Sequence, residues 1–162
     1  MLSYNMKRIN PNNPIYKNDL RNGNLNEIKV LKYLNDNIYQ DCPLEKSKNK
    51  YDYFDFFSRD AMVELKSRTN PYSQYPTTMV GLNKIQFVER ELQSLSESVL
   101  TTPEFKFMFL FTDGLYEWTY APEEYSINTG FRNDRGVKEE KKYAYIHISK
   151  LKLVTKDINS KN

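Results

Sequence analysis

The chain has 162 residues, of which 39% are hydrophobic and 14% aromatic, and its 24 basic and 21 acidic side chains give a formal net charge of +3. This length suits one domain with its own core, and the small positive charge permits nucleic-acid binding without requiring it. A single cysteine, Cys42, excludes an intrachain disulfide and is typical of a reducing, intracellular compartment. The longest apolar run, residues 105–111, is too short to span a membrane, so a soluble protein is expected in the cytoplasm or nucleus.

The N-terminal third predicts an arm followed by a helix. Residues 1–22 are rich in Asn and Pro and predict an irregular arm, after which residues 24–38 predict an amphipathic helix with Asn24 as its N-cap. Its apolar face comprises Val30, Leu31, Leu34 and Ile38, and its polar face comprises Lys29, Lys32, Tyr33 and Asp36. Glu27 falls in the middle of the apolar face, where a carboxylate is costly unless it is paired or bound to a cation.

The middle of the chain predicts a strand pair and a second helix. Residues 51–57 predict a strand, 58–60 a turn and 61–67 the returning strand. A proline-containing loop over 68–78 leads to an amphipathic helix over 81–100.

The last part of the chain predicts further strands. Residues 105–111 are apolar on both faces, as in a central strand covered on both sides. Asp113-Gly114 then predicts a tight hairpin turn into a strand over 115–121. Residues 122–142 are polar and predict a long exposed loop, whose segment 128–136 is a candidate DNA-contacting flap. A last strand is predicted over 142–149, and the tail 155–162 is expected to be flexible. The order of these elements predicts one α/β domain over 23–154, with a mixed central sheet flanked by helices.

The stretch "AMVELKS" carries charges where a buried strand should be apolar. Because residues two apart share a face, Glu64 and Lys66 project together, and the tight turn brings Asp55 alongside them. Glu27 of the first helix would complete a group of three carboxylates and a lysine. Carboxylate oxygens, with the backbone carbonyl of Leu65, are the ligands that Mg²⁺ prefers.

A metal in this group would polarise a phosphate and assist a water nucleophile. Lys66 would position that water, stabilise the crowded phosphorus centre or, if poorly solvated, act as the base. A single histidine, His147, excludes a multi-histidine metal site.

Asp55, followed after eight residues by Glu64-Leu65-Lys66, resembles the PD-(D/E)xK (restriction-endonuclease-like) superfamily of nucleases. The order of helix, motif-bearing hairpin, helix and strand over residues 23–112 resembles the core of that superfamily as well. The resemblance implies a restriction-endonuclease-like fold with Asp55, Glu64 and Glu27 at a Mg²⁺ or Mn²⁺ site and Lys66 in catalysis. No proline precedes Asp55, because Phe54 occupies that place, so Asp52 stays open as the alternative metal acid.

The resemblance further implies metal-dependent hydrolysis of DNA that leaves a 3′ hydroxyl and a 5′ phosphate. By size the chain is most similar to the Holliday-junction resolvases, which act as homodimers in DNA recombination and repair. An exonuclease or a restriction-type enzyme of the same fold is the alternative within the enzyme class. A catalytically silent nucleic-acid-binding or assembly subunit is the alternative outside it, although buried repulsive carboxylates have no use in a pure binder.

Basic side chains around the motif are candidates for contact with DNA phosphates. They are Arg68, Lys84, Arg132 and Arg135. In the superfamily that the chain resembles, helix residues at this point often face the active site. Lys84 flanks the apolar stripe of the second helix, however, and a snorkelling surface lysine is the favoured interpretation.

Overall fold

The computed structural model describes residues 14–49, 52–96, 102–132 and 139–160. In these ranges the chain forms two α-helices, nine β-strands and a 3₁₀ turn over Ile148–Lys150. The helices are α1 (Pro14–Asn37) and α2 (Leu82–Ser96). The strands are β1 (Glu45–Lys46), β2 (Phe56–Phe57), β3 (Ala61–Ser67), β4 (Thr77–Gly81), β5 (Glu104–Phe111), β6 (Gly114–Thr119), β7 (Tyr125–Arg132), β8 (Glu139–His147) and β9 (Lys152–Thr155). None of the helices in these ranges is long and apolar enough to cross a membrane.

The strands form two sheets. The larger sheet has the order β1-β2-β3-β5-β6-β9, and only its β3–β5 pair is parallel. The smaller, antiparallel sheet has the order β4-β8-β7. β4 leads directly into α2, so the smaller sheet sets where that helix begins.

The two helices cover opposite faces of the larger sheet. Neighbouring residues of β5 point to opposite faces, and Phe107 belongs to the core beneath α2 whereas Met108 belongs to the core beneath α1. Both side chains are fully buried, as expected for a central strand. The mixed sheet with a helix on each face confirms the predicted α/β class.

Helix α1 differs from its prediction at both its start and its buried face. It begins at Pro14, ten residues before the predicted N-cap, so the expectation of an irregular arm is wrong for residues 14–22, and residues 1–13 lie outside the described ranges. Tyr33, predicted on the polar face, is buried, and Ile38, predicted on the apolar face, is 48% exposed. Val30 and Leu34 are fully buried as predicted.

Of the predicted strand over 51–57, residue 51 lies outside the described ranges, and among residues 52–57 only Phe56–Phe57 form a strand. The chain bends at residues 53–55, so Phe54 and Phe56, although two residues apart, pack into the cores on opposite faces of the sheet. The carbonyl of Asp55 still accepts a hydrogen bond of 2.8 Å from the backbone N–H of Ser47, and its side chain lies beside β3. The returning strand β3 has the predicted bounds.

The predicted loop over 122–142 is wrong over most of its length. Its residues contribute β7 and the start of β8, which pair from Tyr125↔Ile146 to Arg132↔Glu139. Long polar strands of this kind lack an apolar pattern because much of the ribbon is exposed, as Ile127 is at 55%. Residues 133–136 of the candidate flap lie outside the described ranges.

Candidate active site

Asp55 lies against the Glu64-Leu65-Lys66 segment of β3. The β2–β3 register pairs Phe56 with Val63, and its continuation by one residue places Asp55 opposite Glu64. The backbone N–H of Leu65 donates a hydrogen bond of 2.8 Å to Oδ2 of Asp55, which fixes the carboxylate at the strand. The bend before β2 therefore places Asp55 beside the Glu64-Leu65-Lys66 motif, as the sequence pattern predicted.

Glu64 is the only buried charged residue in the part of the chain that the structure describes, at 3% exposure. Its Oε1 lies 2.8 Å from Nζ of Lys66, two residues along the same face of β3. A second lysine, Lys84, places its Nζ 3.3 Å from the same oxygen and also 3.3 Å from Oε2. Two ammonium groups thus compensate one buried carboxylate.

Lys84 lies in the first turn of α2, and its side chain is only 18% exposed. Besides contacting Glu64, its ammonium group donates a hydrogen bond to the backbone carbonyl of Tyr53. The interpretation of Lys84 as a snorkelling surface lysine is therefore wrong. The sequence did indicate that Lys84 has an acidic partner. The helix dipole disfavours a cation in the first turn of a helix, so a lysine at that position is better tolerated beside an anion.

The carboxyl of Asp55 is held in an environment that opposes its charge. Burial, and then the neighbouring negative charge of Glu64, raise the pKa of Asp55 from its ordinary value of 3.8 to about 7. The hydrogen bond from Leu65 acts in the opposite direction, and Glu27 adds a smaller increase of the same sign as Glu64. Asp55 and Glu64 are thus an electrostatically coupled acid pair of the kind that clusters at functional sites.

Glu27 reaches this neighbourhood from α1 but is paired elsewhere. Its Oε2 lies 2.9 Å from Nζ of Lys46 on β1, and its side chain is 22% exposed. Over residues 14–49, 52–96, 102–132 and 139–160, no three side chains of Asp, Glu, His or Cys are gathered closely enough to hold a metal ion together. The convergence of all three predicted carboxylates is therefore incomplete, and the metal role of Glu27 stays a prediction.

The chain matches a known protein family over most of its length. Residues 19–155 match the model of a family described as "Phage putative PDDEXK endonuclease". The chain belongs to this PD-(D/E)xK family. No curated protein and no solved structure matches it.

The carboxylates of the PD-(D/E)xK motif match the needs of a divalent cation. Two carboxylates suffice for Mg²⁺, which keeps several waters and takes further oxygens from a substrate phosphate. Asp55 and Glu64 supply them, and the raised pKa of Asp55 marks a surplus of negative charge that a cation would neutralise. No lysine or arginine among the described residues forms an ion pair with Asp55, so the residues present fit a divalent cation.

The two candidate metal acids of the PD-(D/E)xK pattern differ in position. Asp52 is exposed, and its carboxylate accepts a hydrogen bond of 3.3 Å from the backbone N–H of Asn49, away from β3. Asp55 alone of the two contacts the motif. Asp60 is also exposed and pairs with Arg59 in the turn.

The arginines predicted to contact DNA have different outcomes. The guanidinium of Arg68 donates to the backbone carbonyl of Met79, lies 3.3 Å from the hydroxyl of Thr78 and sits over the ring of Phe109, so it joins the two sheets. Arg132 ends β7, where its side chain is not described, and Arg135 lies outside the described ranges. Their contact with DNA stays a prediction.

Proposed function

We propose that the protein is a divalent-metal-dependent DNA endonuclease whose metal is held by Asp55 and Glu64. The observation that carries this proposal is the Asp55 carboxylate beside buried Glu64, because Asp55 has no ion-pair partner among the described residues and a carboxylate in that environment is costly without a cation. Membership of a PD-(D/E)xK endonuclease family supports phosphodiester hydrolysis as the reaction. Mg²⁺ is the proposed cofactor and Mn²⁺ the alternative, since both prefer carboxylate oxygens.

The cation would supply Lewis-acid polarisation of the phosphodiester and neutralise the charge that develops during cleavage. The backbone carbonyl of Leu65 is a further candidate ligand next to the two acids. Glu27 would orient a water or a second cation from the opposite side. Its present partner Lys46 is exposed at 45% of its side chain, so this ion pair can open at small cost.

The two lysines have distinct proposed tasks. Lys66, whose side chain is 31% exposed, would hold the attacking water or take its proton. Lys84 is more deeply placed and is fixed by the Tyr53 carbonyl, so it would stay beside Glu64 and attract the non-bridging oxygens of the phosphate. Removal of either lysine would leave Glu64 with one partner.

Within this class we propose a junction-resolving endonuclease that acts as a homodimer in DNA recombination or repair. The support is the size of the single domain and its resemblance to resolvases. An exonuclease or a restriction-type enzyme is the alternative, and the shape of the preferred substrate distinguishes the three.

The second candidate function is a catalytically silent nucleic-acid-binding subunit. Two observations favour it: the double lysine pairing of Glu64 and the incomplete gathering of three carboxylates in the described ranges. The raised pKa of Asp55 speaks against it, because a structural ion-pair network would not leave that carboxyl uncompensated.

The test is cleavage of linear duplex, four-way junction and single-stranded DNA with Mg²⁺, with Mn²⁺ and with EDTA. Wild type is expected to cut only with a divalent cation, and Glu64→Gln and Lys66→Ala are expected to lose at least about 100-fold in rate. Glu104→Gln is the matched control, because Glu104 is an exposed glutamate on the neighbouring strand β5. Absence of cleavage by wild type on every substrate would favour the silent subunit, and full activity in both variants would remove the proposed site.

A further inference from the structure

A concave feature lies at the carboxyl end of β3, between the two sheets. It is a cavity of about 200 Å³. Its walls come from Arg68, from Tyr72 and Tyr75 in the loop before β4, from Phe111 at the end of β5 and from Tyr145 of β8. None of the acids of the candidate active site lines it.

One wall of the cavity is a fixed aromatic surface. The ring of Tyr72 stacks on Tyr116 with centroids 4.0 Å apart and packs edge-on against Phe111 at 5.8 Å. Its hydroxyl donates a hydrogen bond of 2.7 Å to the carbonyl of Ile148, which removes the remaining freedom of the side chain. A ligand that enters the cavity therefore meets a surface that needs no reordering.

Tyr75 and Arg68 add an aromatic ring and a positive charge to the lining of the cavity. Tyr75 is 55% exposed, which leaves its aromatic surface open to a partner. Arg68 is held by Met79 and Thr78 and lies over Phe109 at 5.7 Å, so its positive charge has a fixed position. The amide side chain of Asn70 contributes hydrogen-bonding groups to the lining.

The size and the chemistry of the cavity restrict the ligand. Pockets that enclose a whole drug-sized molecule measure roughly 300–1,000 Å³, so this cavity suits a single flat ring system. Aromatic side chains with an arginine are the combination on which unpaired nucleobases stack. A nucleobase offers both the flat face and the polar edge that these walls complement.

The position of the cavity relates it to the candidate active site. The backbone N–H of Arg68 donates to the carbonyl of Leu110, so the β3–β5 ladder continues by one residue past β3. Residues two apart along a strand lie about 7 Å from each other on one face. Glu64, Lys66 and Arg68 therefore form a row that leads from the acid pair to the cavity.

We infer that this cavity binds one unpaired nucleobase of the DNA strand whose phosphodiester lies at the acid pair. The inference rests on the proposed nuclease function and narrows its substrate to DNA with an unpaired or splayed nucleotide beside the cut. Such nucleotides occur at junctions, flaps and single-stranded ends, and an intact duplex has none.

The experiment measures binding and stacking in EDTA, so that cleavage does not contribute. A single strand and a duplex with one unpaired position carry 2-aminopurine, whose fluorescence falls when it stacks on an aromatic ring. Wild type is expected to quench the unpaired base and to bind both DNAs about 5- to 100-fold more tightly than Tyr75→Ala does. Tyr75→Phe, which keeps the ring, should behave as wild type. Ile38→Ala is the control, since Ile38 is 48% exposed and follows α1, which covers the opposite face of the larger sheet from the cavity.

The outcomes separate this inference from the proposed function. Equal binding and equal quenching by Tyr75→Ala and Ile38→Ala would overturn the cavity assignment, even if wild type cleaves DNA. Loss of quenching in Tyr75→Ala without cleavage by wild type would support the cavity and remove the nuclease activity. Free dAMP that binds as tightly as the oligonucleotide would assign the cavity to a mononucleotide and overturn its assignment to the substrate strand.

Discussion

Two clusters of charged side chains are centred on adjacent strands of the larger sheet. One cluster stabilises the charged form of its central residue, and the other destabilises the charged form of one of its acids. In the first, Lys106 of β5 lies 3.3 Å from Glu104 and 3.5 Å from Glu117. Burial acts to lower the pKa of Lys106, but the attraction of the surrounding groups, Glu117 foremost, outweighs burial and raises that pKa. The charged form of Lys106 is therefore the stable one.

In the second cluster, on β3, the charged form of Asp55 is disfavoured. Glu64 has two lysine partners, whereas Asp55 has a neutral N–H donor and a pKa raised to about 7 by burial and by Glu64. The same residue types thus build an ion-pair network on one strand and a poised acid on the next. Both pKa shifts are upward, but the shift favours the charged form of the base Lys106 and the neutral form of the acid Asp55. The form that the shift favours, rather than the presence of charge, distinguishes the candidate site from a structural cluster.

The largest expected effect is on stability at Asp55. Because its folded pKa of about 7 lies above the ordinary 3.8, the folded protein holds a proton between about pH 4 and pH 7 that the unfolded chain has released. The free energy of unfolding in EDTA should therefore fall through this window, by up to about 4 kcal/mol. Asp55→Asn, which can still accept the Leu65 hydrogen bond, should be more stable than wild type at pH 8 by a similar amount and nearly equal at pH 4.

Urea unfolding at several pH values measures this difference. Asp52→Asn is the matched control, because Asp52 is exposed, and it should follow the wild-type curve. A pH dependence of Asp55→Asn that matches wild type would mean that Asp55 ionises normally. Asp55→Asn should also lose cleavage, so the stabilised protein should be the inactive one.

The next largest effect concerns Lys84. Lys84→Gln keeps a donor for the Tyr53 carbonyl but removes the charge beside Glu64. Cleavage should fall about 100-fold, as when one donor is removed from a site that stabilises developing negative charge. Circular dichroism establishes that the variant is folded. A cleavage rate equal to that of wild type would reduce Lys84 to a structural partner of Glu64.

A smaller effect is expected in the structural cluster. Lys106→Met leaves Glu117, whose side chain is 14% exposed, without this partner and should lower the free energy of unfolding by about 2 kcal/mol. Cleavage should be unchanged at a temperature where the variant is folded. Loss of cleavage in folded Lys106→Met would show that the two clusters are not independent.

The smallest effect is stabilisation by a cation. Ca²⁺ or Mg²⁺ at ten times its dissociation constant should raise the free energy of unfolding at pH 8 by about 1.4 kcal/mol. Asp55→Asn and Glu64→Gln should lose this increment, and Lys106→Met should keep it. An equal increment in all four proteins would place the cation outside the acid pair.

The sequence predicted the parts of the site that depend on local pattern. β3 and the placement of Asp55 beside Glu64 follow from strand periodicity and from a short connection, both readable within about fifteen residues. The hairpin between β5 and β6 was predicted as well, but its two loop residues are Thr112 and Asp113, because Gly114 pairs with Phe111 as the first residue of β6. The α/β class followed from the order of the elements.

The remaining features depend on contacts between distant segments. Lys84 meets Glu64 across twenty residues, because β4 pairs with β8 and sets the start of α2. The β7–β8 ribbon is held by cross-strand bonds and carries too few apolar residues for its strands to be recognised. Tyr33 is amphipathic, and only the packed structure shows that its ring is buried.

The pairing of β4 with β8 also has a consequence for the order of events in folding. β4 and β8 are separated by α2, β5, β6 and β7, so this contact closes a long loop and forms slowly compared with the β5–β6 hairpin. Since β4 leads directly into α2, we expect Lys84 to be anchored beside Glu64 only when residues 139–147 have been synthesised and have docked. A growing chain on the ribosome therefore carries both acids and Lys66 well before its second lysine is anchored.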